Sequence, residues 1–244
     1  MAPPLPVDSA RMAWWLTAWL RGAVGPDDVL DAVRADDAAH DVAGLDPSGS
    51  VPLVLALGRL RALGASSAGL AFPVPGDLVG LGGPRDFNHS AVEAGEAVVL
   101  DGTGHGLVPF RAGAGVVWQL LPAARRQLDD LGVADRGLRK ALLETVEVLV
   151  DLDVAKWRPA VADELMDLRH TTTYDAPPGT PPAASGLAGR ALQALGIVDL
   201  AVADDGNAVS AWEAAQRLDA LRPLEYAARR ALVAACSPEV WPPA

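Results

Sequence analysis

The stretch Ser67–Leu121 constrains this chain most. It is the one long part that reads as sheet and not as helix, and it carries the densest glycine and proline punctuation. Ala68–Val74, Leu78–Leu81, Ala97–Leu100, Leu107–Arg111 and Gly115–Leu121 are strand candidates, each bounded by turn residues. Pro75-Gly76-Asp77 and Asp101-Gly102-Thr103-Gly104-His105-Gly106 read as turns. The last three candidates are joined by short connections, so they must pair antiparallel. Asp86 or Asn88 caps a short helix that reaches Ala94, with Gly95 as its stop.

Helices are expected on both sides. Met12, Trp15, Leu16, Trp19 and Leu20 follow i, i+3, i+4 spacing in a helix over 10–23, with Trp14 beside that stripe. Pro26, Asp27 and Asp28 suit the first turn of the next helix. Residues 36–49 read as irregular, and a third helix runs from about Val51 to Leu63 with Leu53, Val54, Leu57 and Leu60 inward. After the sheet, 123–131 and 135–152 read as helices, and Pro159 opens another to about Arg169. Four prolines between Thr171 and Ser185 read as a linker. Beyond it, a helix over 187–195 with Gly196 at its end, a strand over Ile197–Ala203, the turn Asp204–Asn207 and helices from Ser210 and Pro223 form a compact unit. Disorder is expected at Ala2–Pro6, about Ala176–Ser185 and Trp241–Ala244.

The expected architecture is therefore α+β: a small antiparallel sheet of four to five strands, about residues 68–121, packed by flanking helices. The domain reading is an α+β core over 1–169, a Pro-rich linker over 170–185, and a small, mostly helical unit over 186–237. That unit has an order like half of a winged helix.

With 244 residues and half of them hydrophobic, the chain can bury a core without disulfides or metals. Its net charge is −11 and no segment is basic, which disfavours nucleic acid and anionic lipid as partners. Only Lys140 and Lys156 among 20 basic residues are lysines, the bias a GC-rich genome produces. A single cysteine, Cys236, forms no internal disulfide and fits a reducing cytoplasm. The N-terminus lacks a basic region before its apolar part, and the apolar run Met12–Leu20 is too short to span a bilayer. The expectation is a cytoplasmic protein without cofactor or metal.

No motif specifies a chemistry. The loop Gly82–His89 offers a glycine pair, an arginine and a helix N-terminus, which together can receive an anion. In that reading Gly82 and Gly83 bring the backbone close, Arg85 clamps, Asn88 orients, and His89 or Glu93 handles protons. The competing reading is a loop whose glycines supply positive φ and whose Asp86 or Asn88 only caps. Asp101–Gly106 precedes a strand, not a helix, and reads as a hairpin turn. His40, His89, His105 and His170 have no metal-ligand spacing, and Cys236 lies in an apolar helix, packed and inert. Trp14, off the apolar stripe, is the candidate contact for a protein partner or a second copy of the chain.

The runs Leu70-Ala-Phe-Pro-Val-Pro-Gly-Asp77, Gly80-Leu-Gly-Gly-Pro84, Phe87-Asn88, Glu93-Ala-Gly-Glu-Ala-Val98 and Leu152-Asp-Val-Ala-Lys-Trp-Arg-Pro159 resemble those of a family of uncharacterised actinobacterial proteins. The resemblance implies a cytoplasmic protein and brings no activity, cofactor or catalytic residue. Two readings stand. One is a non-catalytic interaction or regulatory protein. The other is a protein that binds a small anionic metabolite at Gly82–His89, with turnover there as its extension.

Overall fold

The computed structural model describes residues 2–151, 172–203 and 211–242. Its elements are α1 (Asp8–Leu20), α2 (Pro26–Arg34), β1 (His40–Asp46), β2 (Gly49–Pro52), α3 (Leu53–Ala62), β3 (Ser67–Ala71), α4 (Arg85–Ala94), β4 (Ala97–Asp101), β5 (His105–Ala112), β6 (Gly115–Pro122), α5 (Leu131–Asp151), α6 (Pro182–Ala203) and α7 (Ala211–Ala235). A short 3-10 turn, Pro238–Val240, follows. The protein is α+β with a helical C-terminal region, and its six strands run in the order β2-β1-β6-β5-β4-β3.

The four strands β3 to β6 pair antiparallel; short connections require it for β4 to β6, whereas β3 reaches β4 through residues 72–96 and α4. The sheet is nevertheless mixed and larger than expected. β1 lies parallel to β6, with His40 opposite Val116 and Val42 opposite Trp118, and β2 pairs antiparallel on the outside of β1. Residues 36–49 read as irregular and Val51 as a helix start because only His40, Val42 and Val51 are buried in the two strands. That is too few to print an alternation. Pro47 and Ser48 make the hairpin turn, where Asp46 Oδ1 accepts from Ser48 N at 2.9 Å and Ser48 Oγ at 2.6 Å.

Side chains alternate across the sheet as the pleat dictates. Ala68, Val98, Leu100, Leu107, Val116 and Trp118 face one core with Met12 and Leu16 of α1 and Leu53, Leu57 and Leu60 of α3. Ala71, Ala97, Val99 and Val108 face the other side, under Phe87 and Ala91 of α4. Gly106 sits in β5 because a Cβ there would enter the Phe87 ring. A third core joins α5, α6 and α7 to Leu5, Ala10, Trp14, Leu70 and Val79. Helix α1 contributes to two cores at once, and ten of its residues are buried.

Several expectations are corrected. Leu78–Leu81, expected as a short strand or an extended piece, is no strand: Leu78 is half exposed, and Val79 and Gly80 form a turn. Residues 123–130 form neither helix nor turn, and Asp130 caps α5, its Oδ1 accepting from Val133 N at 2.8 Å. Ile197–Ala203 continues α6, so the helix–strand order of a wing is absent there, and Gly196 does not stop the helix. Pro223 lies inside α7. Val54 faces solvent, while Ala56 takes its place inside. The segment Ala2–Pro6 is ordered: Leu5 is buried, and Pro3 O accepts from Asp175 N at 2.8 Å. Ala176 packs on the third core, Pro182–Ser185 belong to α6, and Trp241 Nε1 donates to Ala235 O at 3.0 Å. The helix expected over 159–169, His170 and the turn Asp204–Asn207 lie outside the described residues.

Strand β3 is a sheet edge, and its outward backbone groups are all engaged. Ala68 N donates to Thr17 Oγ1 at 2.9 Å, and Thr17 Oγ1 donates back to Ala68 O at 3.0 Å. Leu70 N donates to Cys236 O at 3.0 Å, and Leu70 O accepts from Arg126 Nη1 at 2.5 Å. Arg126 is buried and uses every donor it has. Its remaining bonds go to Gly80 O (3.1 Å), Ser237 Oγ (3.0 Å) and, as a fork, to Glu239 Oε1 and Oε2 (3.0 and 3.1 Å). Gly69 lies beneath the guanidinium, where a Cβ would clash with it.

Removing one partner of such a buried pair costs about 3–5 kcal/mol. Arg126→Met is therefore expected to lower the unfolding free energy by about that much in urea titrations. Gly69→Ala should destabilise through the same guanidinium, and the two losses should be less than additive. Additive losses would show that Gly69 and Arg126 act separately.

Candidate functional site

The residues singled out in the Gly82–His89 loop do not form one cluster of free groups. Gly83 has φ 94° and precedes a cis proline, Pro84. Its N–H donates to Asn88 Oδ1 at 3.0 Å, and Asn88 N donates to Pro84 O, so Asn88 closes the loop on itself. Gly82 packs against the Arg125 carbonyl, which leaves no room for a Cβ. Arg85 is exposed and has no hydrogen bond or ion pair among the described residues. His89 and Glu93 pair at 3.5 Å on the solvent face of α4, 73% and 64% exposed.

The second glycine loop makes the β4–β5 hairpin, with Gly102 and Gly104 at positive φ. Its His105 Nδ1 lies 2.8 Å from Thr103 O. Both glycine loops converge on one place. Ala123 N donates to Gly104 O at 2.9 Å, and Ala124 N donates to Gly83 O at 2.6 Å. From that anchor the chain runs extended to Asp130 along a cleft of about 1300 Å³. Val79, Val99, Val233 and Ala234 give the cleft an apolar lining. Arg126 with Glu239 lies among them, and Arg125, Gln127, Asp129, Asp101 and Arg230 supply polar groups. Arg230 is held by Asp77 at 3.4 Å and stacks on the Tyr226 ring at 3.9 Å. The cleft was not foreseen, because its walls come from residues 79, 99–104, 123–129 and 230–240, which no sequence spacing links. The one local signal is the alternation of Arg126 and Leu128 inward with Arg125, Gln127 and Asp129 outward.

A second polar cluster also escaped the sequence. Trp118 Nε1 donates to His40 Nδ1 at 3.1 Å; an indole N–H only donates, so His40 carries its proton on Nε2 and presents it to Asp37 at 3.0 Å. Arg111 bridges Asp37 and Asp8, the latter at 2.7 Å, and Asp8 also holds Arg11 at 2.5 Å. Both ring nitrogens of His40 are thus engaged, so the pair with Asp37 orients β1 on β6 and has no base to offer a substrate. Burial alone would raise the Asp37 carboxyl. Hydrogen bonds from His40 and Arg111 outweigh it and hold the group below the ordinary aspartate value. Asp46, bonded first by Ser48 and then by Arg59, is lowered to about 2.

Glu96 behaves oppositely. Its Oε2 accepts from Ser9 N at 2.6 Å and so caps α1 from across the fold. Burial, with the nearby Asp8 charge, raises its carboxyl above the usual glutamate value, against the Ser9 hydrogen bond.

Trp14, the expected partner contact, is 1% exposed, and its Nε1 donates to Ala235 O at 3.1 Å. It belongs to the core. Cys236 is buried and burial pushes its thiol far up, so it is no nucleophile. Among the described residues no three His, Cys, Asp or Glu side chains group as metal ligands, and no helix is long and apolar enough to cross a membrane.

The raised Glu96 carboxyl has a definite sign. Its contribution to stability is full below the unfolded value of 4.5 and declines as pH rises through the folded value. Asp37 contributes above 3.8 and loses its share as pH falls through its lower folded value. Glu96→Gln keeps an acceptor for Ser9 N and removes the ionisation. Its thermal midpoint should match the parent near pH 4.5 and exceed it toward neutrality. A difference independent of pH would contradict this.

Two family models match consecutive parts of the chain. A model described as Rv1486c-like protein, N-terminal domain, matches residues 9–130, and the corresponding C-terminal domain model matches 132–233, so the models meet where α5 begins. The Mycobacterium tuberculosis (strain H37Rv) protein Rv1486c, named uncharacterized, is 30% identical over 96% of this chain and 98% of its own. ML1804 of Mycobacterium leprae, likewise uncharacterized, is 30% identical over 41% of this chain and 44% of its own. No solved structure matches. The chain belongs to the Rv1486c-like protein family.

Proposed function

We propose that this is a non-catalytic cytoplasmic interaction protein whose binding surface is the cleft along residues 123–129. The observation that carries the reading is the cleft itself. It combines an apolar lining with charges of both signs, and its volume of about 1300 Å³ exceeds the roughly 300–1,000 Å³ of a small-molecule pocket. Exposed Arg125 and Asp129 at its mouth have no ion pair among the described residues. The groups with most chemical potential, His40 and Cys236, are buried in structural roles. The lone buried thiol and the absence of a basic segment support a cytoplasmic setting without nucleic acid.

A photo-crosslinking residue at Gln127, exposed on the cleft, should capture a specific protein in cells. The same residue at Ala62, exposed on α3 and outside the cleft lining, should not. Equal yields from both positions would remove the cleft from the function.

A second reading keeps the anion site at the loop over Gly82–Glu93. Arg85 is free, and the N–H groups of Arg85, Asp86 and Phe87 open α4 without a partner among the described residues. Small anionic metabolites should then raise the melting temperature, and Arg85→Ala should abolish the shift. An unchanged shift in the variant would end this reading.

A further inference from the structure

We propose that the cleft takes an extended peptide, which pairs its main chain with residues Arg125–Asp129 as an added strand. The inference rests on the cleft being the interaction surface and names the kind of partner it fits.

The segment after β6 has the exposure pattern of a strand, and Gly82 is packed against its backbone only at Ala124 and Arg125. Residues 123–130 have no turn, bend or helix, and from 125 their exposure alternates: Arg126 and Leu128 point in, Arg125, Gln127 and Asp129 point out. That is the period of a strand. Yet the backbone N–H and C=O groups of Arg125–Asp129 make no hydrogen bond among the described residues. The segment is not a loose loop, because both of its ends are fixed. Ala123 and Ala124 are bonded to Gly104 and Gly83, and Asp130 caps α5. Its centre is pinned by the five donors of Arg126. A rigid, extended, unpaired backbone along an open cleft is the geometry that strand addition uses: main-chain bonds give affinity, and alternate side chains give specificity.

The side chains state which peptide fits. Arg125 and Asp129 are four residues apart on one face, a span of about 13 Å in an extended chain. An added strand therefore matches with an acidic and a basic residue four apart. Small apolar residues between them turn toward the lining formed by Val79, Val233 and Ala234. The order of the two charges depends on whether the peptide lies parallel or antiparallel.

The test uses two blocked, fluorescent decapeptides with the centres Glu-Val-Thr-Val-Lys and Lys-Val-Thr-Val-Glu, titrated into the full chain. One order should bind in the micromolar range and the other at least about tenfold more weakly. Methylating the backbone nitrogens of alternate residues should weaken binding about tenfold in one parity and leave the other parity nearly unchanged. Arg125→Glu, a change at an exposed residue, should lower the affinity of the preferred peptide. Failure of both peptides, or equal tolerance of both methylation parities, would overturn strand addition. If crosslinking from Gln127 still captures a specific partner in that case, the cleft remains the interaction surface and only the peptide mode falls. If crosslinking fails too, both fall.

Discussion

The guanidinium of Arg126 is the interaction that ties the sheet edge β3 to the C-terminal residues. Buried charge is tolerable only when it is paired and its donors are satisfied. Here the five donors reach β3 at Leu70, the turn at Gly80, and the C-terminal residues Ser237 and Glu239. Those acceptors are distant in sequence. Together the bonds fix the turn at Gly80 and the C-terminal residues relative to the sheet. The guanidinium's planar fork also explains why Gly69 sits below it.

The same contacts solve the edge problem of β3. An unpaired edge strand invites pairing with another chain. This one is closed by Thr17 at Ala68, and by Cys236 and Arg126 at Leu70. Thr17 sits inside α1, so the helix must lie against that edge. Its other faces then become core for the sheet through Met12 and Leu16, and core for the helical layer through Ala10 and Trp14. Helix α1 is therefore buried nearly all round, and Trp14 must spend its indole N–H inside, on Ala235.

That burial shows how far the sequence was legible. Local signals were read correctly where local forces decide: the antiparallel strands β3 to β6, the Pro26 start of α2, the glycine stop of α4 and the hairpin at Gly102 and Gly104. They misled where tertiary contacts decide. Trp14 fell off the stripe because a helix packed on two sides has no single stripe. Strand β1 was hidden because its partner β6 lies some seventy residues later, and parallel pairing leaves no short turn to mark it. Gly196 and Pro223 were read as helix boundaries, yet α6 and α7 continue through them; side-chain burial outweighs local propensity there. The glycine loop Gly82–His89 was visible as unusual. Its role was not, since Gly82 and Gly83 hold a segment forty residues downstream.

The contrast between two unpaired backbones is informative. The outward groups of β3 are engaged without exception by side chains and carbonyls from elsewhere in the fold. Residues 125–129 are equally extended and equally fixed, yet their backbone groups have no partner among the described residues. A fold that closes one edge so fully, with an arginine drawn from the second segment, leaves that second segment open along a cleft. Arg126 links the two facts. Its side chain reaches inward to close β3, and its neighbours Arg125 and Gln127, with Asp129, face outward. The closure of the edge and the exposed face of the cleft segment meet at one residue.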